Sequence, residues 1–212
     1  MCGILGIFNL NGKLIDPIQL QRMTDIMSHR GPDGRGFLLA DACTGKTLFF
    51  DKDCPTSKLN FTPTIGLGHR RLSIIDLQTG QQPMCNEDGT VWIVFNGEIY
   101  NFFEIRQELQ KKGHYFKTDH SDTETIIHAY EEWGEECLQR FSGMFAFGIV
   151  DLNKCELFLA RDRPGKKPLY YYYDGEKFIF ASEMKAILED ASVPREIDIT
   201  SLADYLSYQY VP

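Results

Sequence analysis

The segment Val91-Trp92-Ile93-Val94-Phe95 limits the fold more than any other. Five apolar residues in succession, all β-branched or aromatic, read as a strand covered on both faces. A strand with one wet face would carry polar residues at alternate positions, and none occur here. Apolar material must therefore lie on each side of the sheet that holds it. Further strand-like segments are Ile4–Phe8, Gly36–Ala40, Thr47–Phe50, Ile65–Leu72, Met144–Val150, Glu156–Ala160, Leu169–Tyr173 and Phe178–Ala181. They come in runs, without the strict strand and helix alternation of a parallel sheet, so the pattern predicts an α+β fold with largely antiparallel sheets.

Helical periodicity covers Asp16 to Ser28, with Asp16 as N-cap, Pro17 at the first helical position and Leu20, Met23, Ile26 and Met27 on one apolar face. It recurs at Phe102–Lys112, closed by Gly113, at Asp122–Trp133, and in two short pieces, Glu183–Leu188 and Ser201–Tyr208. His29 to Gly36 holds three glycines and a proline and reads as a loop. Asn96-Gly97 is a turn signal directly after the opening strand, although Glu98 and the helix that soon follows make a two-residue hairpin less natural. Ser121 and Glu124 have the spacing of a capping box, which leaves Asp122 in the first turn, able to face a cation. The four tyrosines Tyr170 to Tyr173 suggest a strand with one packed and one partly wet face, and Lys166-Lys167 reads as solvated.

A chain of 212 residues with 43% hydrophobic and 25% charged residues can bury roughly 70% of its unfolded surface and fold without staples. Its net charge of −8 and lack of a basic stripe argue against nucleic acid and against anionic membranes as partners. Cys2, Cys43, Cys54, Cys85, Cys137 and Cys155 are scattered, with no C-x-x-C pair. His29, His69, His114, His120 and His128 show no metal spacing, so polar or loop roles and no metal are expected. No basic leader and no apolar run of spanning length is seen, and a reducing cytoplasm with free thiols is the expected location.

Cys2 is the first candidate for chemistry. Removal of Met1 would give one residue both a thiol and an α-amine of reference pKa about 7.7–8.0, so that nucleophile and base coincide. Position alone is equally compatible with an incidental small residue entering the first strand.

Five motifs occur in order: Met1-Cys2-Gly3-Ile4-Leu5-Gly6, His29-Arg30-Gly31-Pro32-Asp33, His69-Arg70-Arg71-Leu72-Ser73-Ile74-Ile75-Asp76, Phe95-Asn96-Gly97-Glu98-Ile99-Tyr100-Asn101 and Ser121-Asp122-Thr123-Glu124. Together they resemble the class II glutamine amidotransferases, which are amino-terminal-nucleophile hydrolases. Ala160 to Tyr171 and Ala181 to Ala186 point to the glutaminase domain of glutamine-hydrolysing asparagine synthetases within that group. The resemblance implies a four-layer αββα sandwich and spans nearly residues 1–212, with about 199–212 leading toward a C-terminal synthetase domain outside this chain. It implies L-glutamine as substrate, attack by the Cys2 thiol, an oxyanion site made by the Asn96 side chain and the Gly97 N–H, Arg71 on the α-carboxylate, Glu98 and Asp122 on the α-ammonium, and backbone carbonyls near Ile75 completing the site. A bidentate guanidinium fork suits a carboxylate, and the neighbouring Arg70, on the opposite strand face, is free to make a surface ion pair. Arg30 to Gly34 would shape a loop beside the nucleophile.

The synthetase half of that family binds ATP through an S-G-G-x-D-S loop, which Phe141-Ser142-Gly143-Met144 does not match, and there is no Walker A sequence. No cofactor is therefore expected in this domain, with ATP and Mg expected only in the synthetase domain, and a fragment of a longer chain is inferred. Pro164 and Lys166 depart from the residues common in synthetases, and Cys43 to Pro63 reads as a surface insertion. Two alternatives stand beside the glutaminase reading: a domain serving an amidophosphoribosyl or sugar-phosphate acceptor, and a non-catalytic glutamine-binding or docking domain if Met1 is retained. The sequence leaves a homodimer open.

Overall fold

The computed structural model describes residues 1–52, 59–73 and 80–211. In chain order the elements are β1 (Gly3–Asn9), α1 (Pro17–Asp25), β2 (Gly34–Ala40), β3 (Thr47–Phe50), β4 (Ile65–Arg71), β5 (Met84–Cys85), β6 (Val91–Ile99), α2 (Phe102–Lys111), α3 (Asp122–Trp133), β7 (Gly143–Asp151), β8 (Glu156–Arg161), β9 (Tyr170–Tyr173), β10 (Lys177–Ala181), α4 (Met184–Leu188) and α5 (Ile199–Tyr208). A 3-10 turn, Gly134–Gln139, follows α3. The strands form a six-stranded sheet, β3-β2-β4-β1-β10-β9, and a four-stranded one, β5-β6-β7-β8, with every pairing antiparallel.

Three apolar clusters divide the space, and strand parity decides which residue enters which. Between the sheets lie Ile4 and Phe8 of β1, Ile65 and Leu67 of β4, Trp92 and Val94 of β6, Ala146 and Val150 of β7, and Phe180. Leu5 and Ile7 point the other way, onto Leu20 and Met23 of α1 and Ala186 and Ile187 of α4. Val91, Ile93 and Phe95 likewise leave the inter-sheet space and meet Ile105 and Leu109 of α2 and Ile126 and Ile127 of α3. The order is helix, sheet, sheet, helix, as the resemblance implied, and the all-apolar run at Val91 has material on both faces for that reason.

The layer between the sheets is thin at Phe180. A Cβ on Gly6 would stand 2.1 Å from its ring, and one on Gly148 of the facing sheet 2.4 Å from it. The two glycines clear the space that a fully buried phenyl group fills.

Most predicted boundaries agree with the structure to within a few residues, and the differences have physical causes. Asp16 caps α1 by accepting from the Ile18 N–H at 3.0 Å, but the helix ends at Asp25 and leaves Ile26 36% exposed. β2 begins at Gly34, inside the expected loop, because its first residues pair with Arg70 and Arg71. β6 does not turn at Asn96-Gly97: it continues to Ile99, with Asn96 opposite Ala146 and Gly97 opposite Phe145. Tyr170, Tyr171 and Tyr173 are all exposed and only Tyr172 packs on the core, since β9 is the edge strand of its sheet. Lys167, read as solvated, is buried. No residue of α5 is buried, and among the described residues no helix is long and apolar enough to cross a membrane. The described cysteines are free thiols; Cys54 lies outside the described residues.

Gly6→Ala and Gly148→Ala should each lower stability by about 1–3 kcal/mol through overpacking. Combining either with Phe180→Leu should cost less than the sum of the single changes, because both act on one contact. Equilibrium urea denaturation of the four-member cycle measures this.

Candidate functional site

Cys2 stands immediately before β1, whose first residue pairs with Arg70 on β4. That places the thiol at the end of a strand with ladders on both sides. Its mouth is tied down further: Arg30 donates from Nε to the Cys2 carbonyl at 2.9 Å and is paired with Glu183 at 3.2 Å, and the Ser182 hydroxyl accepts from the Ile4 N–H at 3.0 Å. The loop residue Arg30 thus acts on Cys2 through its backbone. The sulfur accepts from the Leu72 N–H at 3.4 Å. Burial pushes the thiol above its ordinary pKa, opposed by that hydrogen bond and by the positive charges of the N-terminus, Arg71 and Lys167.

One pocket is lined by Met1, Cys2, Arg71, Asn96, Gly97, Glu98 and Asp122. Parity accounts for most of this convergence. Positions 69 and 71 continue the inter-sheet face of Ile65 and Leu67 on β4, and 96 and 98 that of Trp92 and Val94 on β6. Where the apolar inter-sheet layer ends, polar residues of the same parity take its place. Arg70 has the opposite parity: it donates to the Gly31 carbonyl at 3.1 Å and pairs with Asp25 of α1 at 3.1 Å.

Asn96 is 1% exposed, and its side-chain Nδ2 has no hydrogen-bond partner. An unpaired buried amide donor costs about 1–3 kcal/mol, which makes this nitrogen a candidate to meet an acceptor in the pocket. Gly97 is required by close approach, but to its neighbour strand: a Cβ there would lie 2.3 Å from the Met144 carbonyl oxygen. His69 supports the same strand from below. It is fully buried with Nε2 3.2 Å from the Phe95 carbonyl, and burial drives its pKa down to about 3, so the ring is neutral and donates to that oxygen.

Asp122 comes from the first turn of α3. Ser121 caps the helix by accepting from the Glu124 N–H at 3.4 Å. The reciprocal half of the capping box is missing: Glu124 turns to the N–H groups of Lys117 and Thr118 at 2.7 and 2.9 Å and to the Thr118 hydroxyl, which gives its carboxylate three donors in place of one. Asp122 accepts from the Ile99 N–H at 3.2 Å and so joins α3 to the end of β6. Burial raises its pKa to about 6, with the charge of Glu98 adding to the rise and the N–H groups of Ile99 and Thr123 opposing it. Ile75 lies outside the described residues.

Gln82 and Lys167 also line the pocket, and the sequence analysis missed both. Gln82 is buried and bridges two elements, its Oε1 accepting from the Phe95 N–H at 2.6 Å and its Nε2 donating to the Thr123 hydroxyl at 3.3 Å. Lys167 is drawn inward by Asp162, whose carboxylate accepts from the N–H groups of Phe145, Lys166 and Lys167 at 3.1, 2.7 and 3.0 Å. The Asp-x-x-Gly spacing of Asp162 and Gly165, with Gly165 at φ +67°, is the turn signal that could have revealed a shaped loop there.

Residues 55–212 match the family described as "Glutamine amidotransferase domain". Asparagine synthetase [glutamine-hydrolyzing] 1 of Bacillus subtilis (strain 168) is 41% identical over 100% of this chain and 30% of its own length. A putative asparagine synthetase [glutamine-hydrolyzing] 2 of Methanocaldococcus jannaschii is 35% identical over 100% of this chain and 40% of its own length. The chain thus spans well under half of these relatives. In fold it is similar to glutamine phosphoribosylpyrophosphate amidotransferase from B. subtilis, with TM-score 0.69 at 24% identity over 88% of this chain and 43% of that one. On these grounds the chain belongs to the glutamine amidotransferase domain family.

Proposed function

We propose that the chain is a glutaminase that hydrolyses the side-chain amide of L-glutamine and delivers the ammonia to an asparagine-forming synthetase domain in the parent protein. The observation that carries the reading is the unpartnered Asn96 amide in the same pocket as the Cys2 thiol. A thiol alone does not hydrolyse an amide. A buried donor held without an acceptor is what a developing oxyanion needs.

In this mechanism Met1 is first removed, and the α-amine of Cys2 takes the thiol proton. The sulfur attacks the glutamine side-chain carbonyl, and the tetrahedral oxyanion is held by the Asn96 Nδ2 and the Gly97 N–H. Collapse expels ammonia, with the proton returned by the amine, and leaves a γ-glutamyl thioester. Water activated by the same amine attacks the thioester, releasing glutamate and the thiol. Arg71, Glu98 and Asp122 share the pocket, and the resemblance assigns the first to the α-carboxylate, the two acids to the α-ammonium and the carbonyls near Ile75 to completing the site. Lys167, buried beside the pocket, favours the thiolate through its charge. The relatives' names, and the share of their length that this chain spans, support the synthetase as the ammonia acceptor.

Loss of Met1 should appear by mass spectrometry in the active protein, with Cys2→Ala abolishing glutamate release. Asn96→Ala should lower kcat about 10²–10³-fold with a smaller change in KM. Asp122 must be ionised to hold an ammonium, so kcat/KM for glutamine should carry an acid limb near pH 6 in addition to the one set by the Cys2 amine, and Asp122→Asn should lose the lower limb. The same shift acts on stability with the opposite benefit. Between 3.8 and about 6 the folded state binds the proton that the unfolded state has released, so this group's stabilisation is complete below 3.8 and is lost as pH rises to about 6. Asp122→Asn should therefore raise stability at pH 7, by on the order of 1–2 kcal/mol in urea denaturation, while raising KM steeply.

A further inference from the structure

Away from the pocket, two imidazoles and a carboxylate converge where the turn after α2 meets α3. His114 lies in that turn, and His128 and Glu131 are three residues apart on α3. One oxygen of Glu131, Oε2, faces the Nδ1 of both rings, at 2.7 Å from His128 and 3.8 Å from His114. Among the described residues this is the one group whose ligand atoms gather so closely, all within 4.8 Å of one another. A tetrahedral ion with bonds of about 2.0–2.1 Å needs its ligand atoms about 3.3 Å apart, and the two distances straddle that value.

The surroundings have the form that metal-bound histidines require. Each ring turns its other nitrogen toward a different carboxylate: His114 Nε2 is 3.1 Å from Glu132, which Lys112 also holds at 2.7 Å, and His128 Nε2 is 3.5 Å from Glu87. Such outer carboxylates orient the rings; at His128 the proton that Nδ1 gives to Glu131 would leave on metal binding, freeing that nitrogen to ligate. Asn86 fixes the third ligand, donating to Glu131 Oε1 at 2.7 Å and turning Oε2 inward. His128 is 2% exposed in its side chain, and its Nε2 makes no hydrogen bond in the structure, so the ring is held in an environment its own contacts do not satisfy. The Glu131 side chain is 23% exposed and that of His114 18%, so solvent reaches the fourth position.

We propose that His114, His128 and Glu131 form a structural binding site for a divalent transition metal, zinc in preference, with water as the fourth ligand. Two imidazoles and one carboxylate are a donor set that suits zinc. The ion clamps the turn after α2, α3 and, through Glu87 and Asn86, the turn before β6. Because the site lies beyond the catalytic pocket, it contributes rigidity and takes no part in glutamine chemistry.

The test uses the chain freed of metal by a chelator. Titration with Zn²⁺ by calorimetry, and with Co²⁺ by its visible absorption, should show one equivalent bound with a tetrahedral cobalt spectrum, displaced by zinc, and a higher thermal midpoint. His114→Ala and Glu131→Gln, both at partly exposed positions, should weaken binding tenfold or more and erase the thermal gain, with glutamine kcat and KM unchanged. Absence of saturable binding would show an ion-pair network and overturn the proposal, as would an undiminished equivalent in both variants, which puts the metal elsewhere.

Discussion

Consecutive side chains on a β-strand point to opposite faces, and in this molecule both faces of the central strands are buried. Parity therefore decides whether a residue lies between the sheets or under a helix. The inter-sheet layer is apolar from Phe8 to Ile4 and from Trp92 to Val94; at one end the same parity carries Cys2, Arg71, Asn96 and Glu98. The pocket is the continuation of the core by other residue types. A register slip of one residue on β4 would exchange Arg71 for Arg70 and send the guanidinium toward α1.

The pocket is also where the fold accepts unfavourable electrostatics. Asp122 is buried with Glu98 nearby, its N–H donors not offsetting the burial, the Asn96 amide has no partner, and the Cys2 thiol is desolvated. Two carboxylates outside the pocket are well supplied with donors: Asp162 is surrounded by three N–H groups that, against burial, hold its carboxyl below the usual carboxylate range, and Glu124 gathers the N–H groups of Lys117 and Thr118.

Much of this was legible beforehand. Strand segments stood out by apolar runs, α1 by its Asp16-Pro17 start, and the site residues by ordered motifs whose resemblance proved to be of the right family. What escaped notice depended on long-range contact. Asn96-Gly97 has the local chemistry of a turn, yet ladder pairing with Ala146 and Phe145 keeps it extended. Lys167 looks like half of a solvated pair until Asp162 folds the loop inward. Glu124 has two possible sets of N–H partners, and only the placement of Lys117 and Thr118 selects one. His114 is separated from His128 by the whole start of a helix, and the spacing of His128 and Glu131 was its one local trace.

The position of β1 bears on the order in which the molecule is made. Its ladder partners are Ile65 to Arg70 on one side and Lys177 to Ala181 on the other. β1 thus waits for strands far along the chain before both its ladders are complete, a pairing of high sequence separation and slow closure. Until then the segment that carries the Cys2 thiol has neither Arg71 nor the Asn96 amide beside it. Cys2 and the pocket around it are products of one closure between distant parts of the chain.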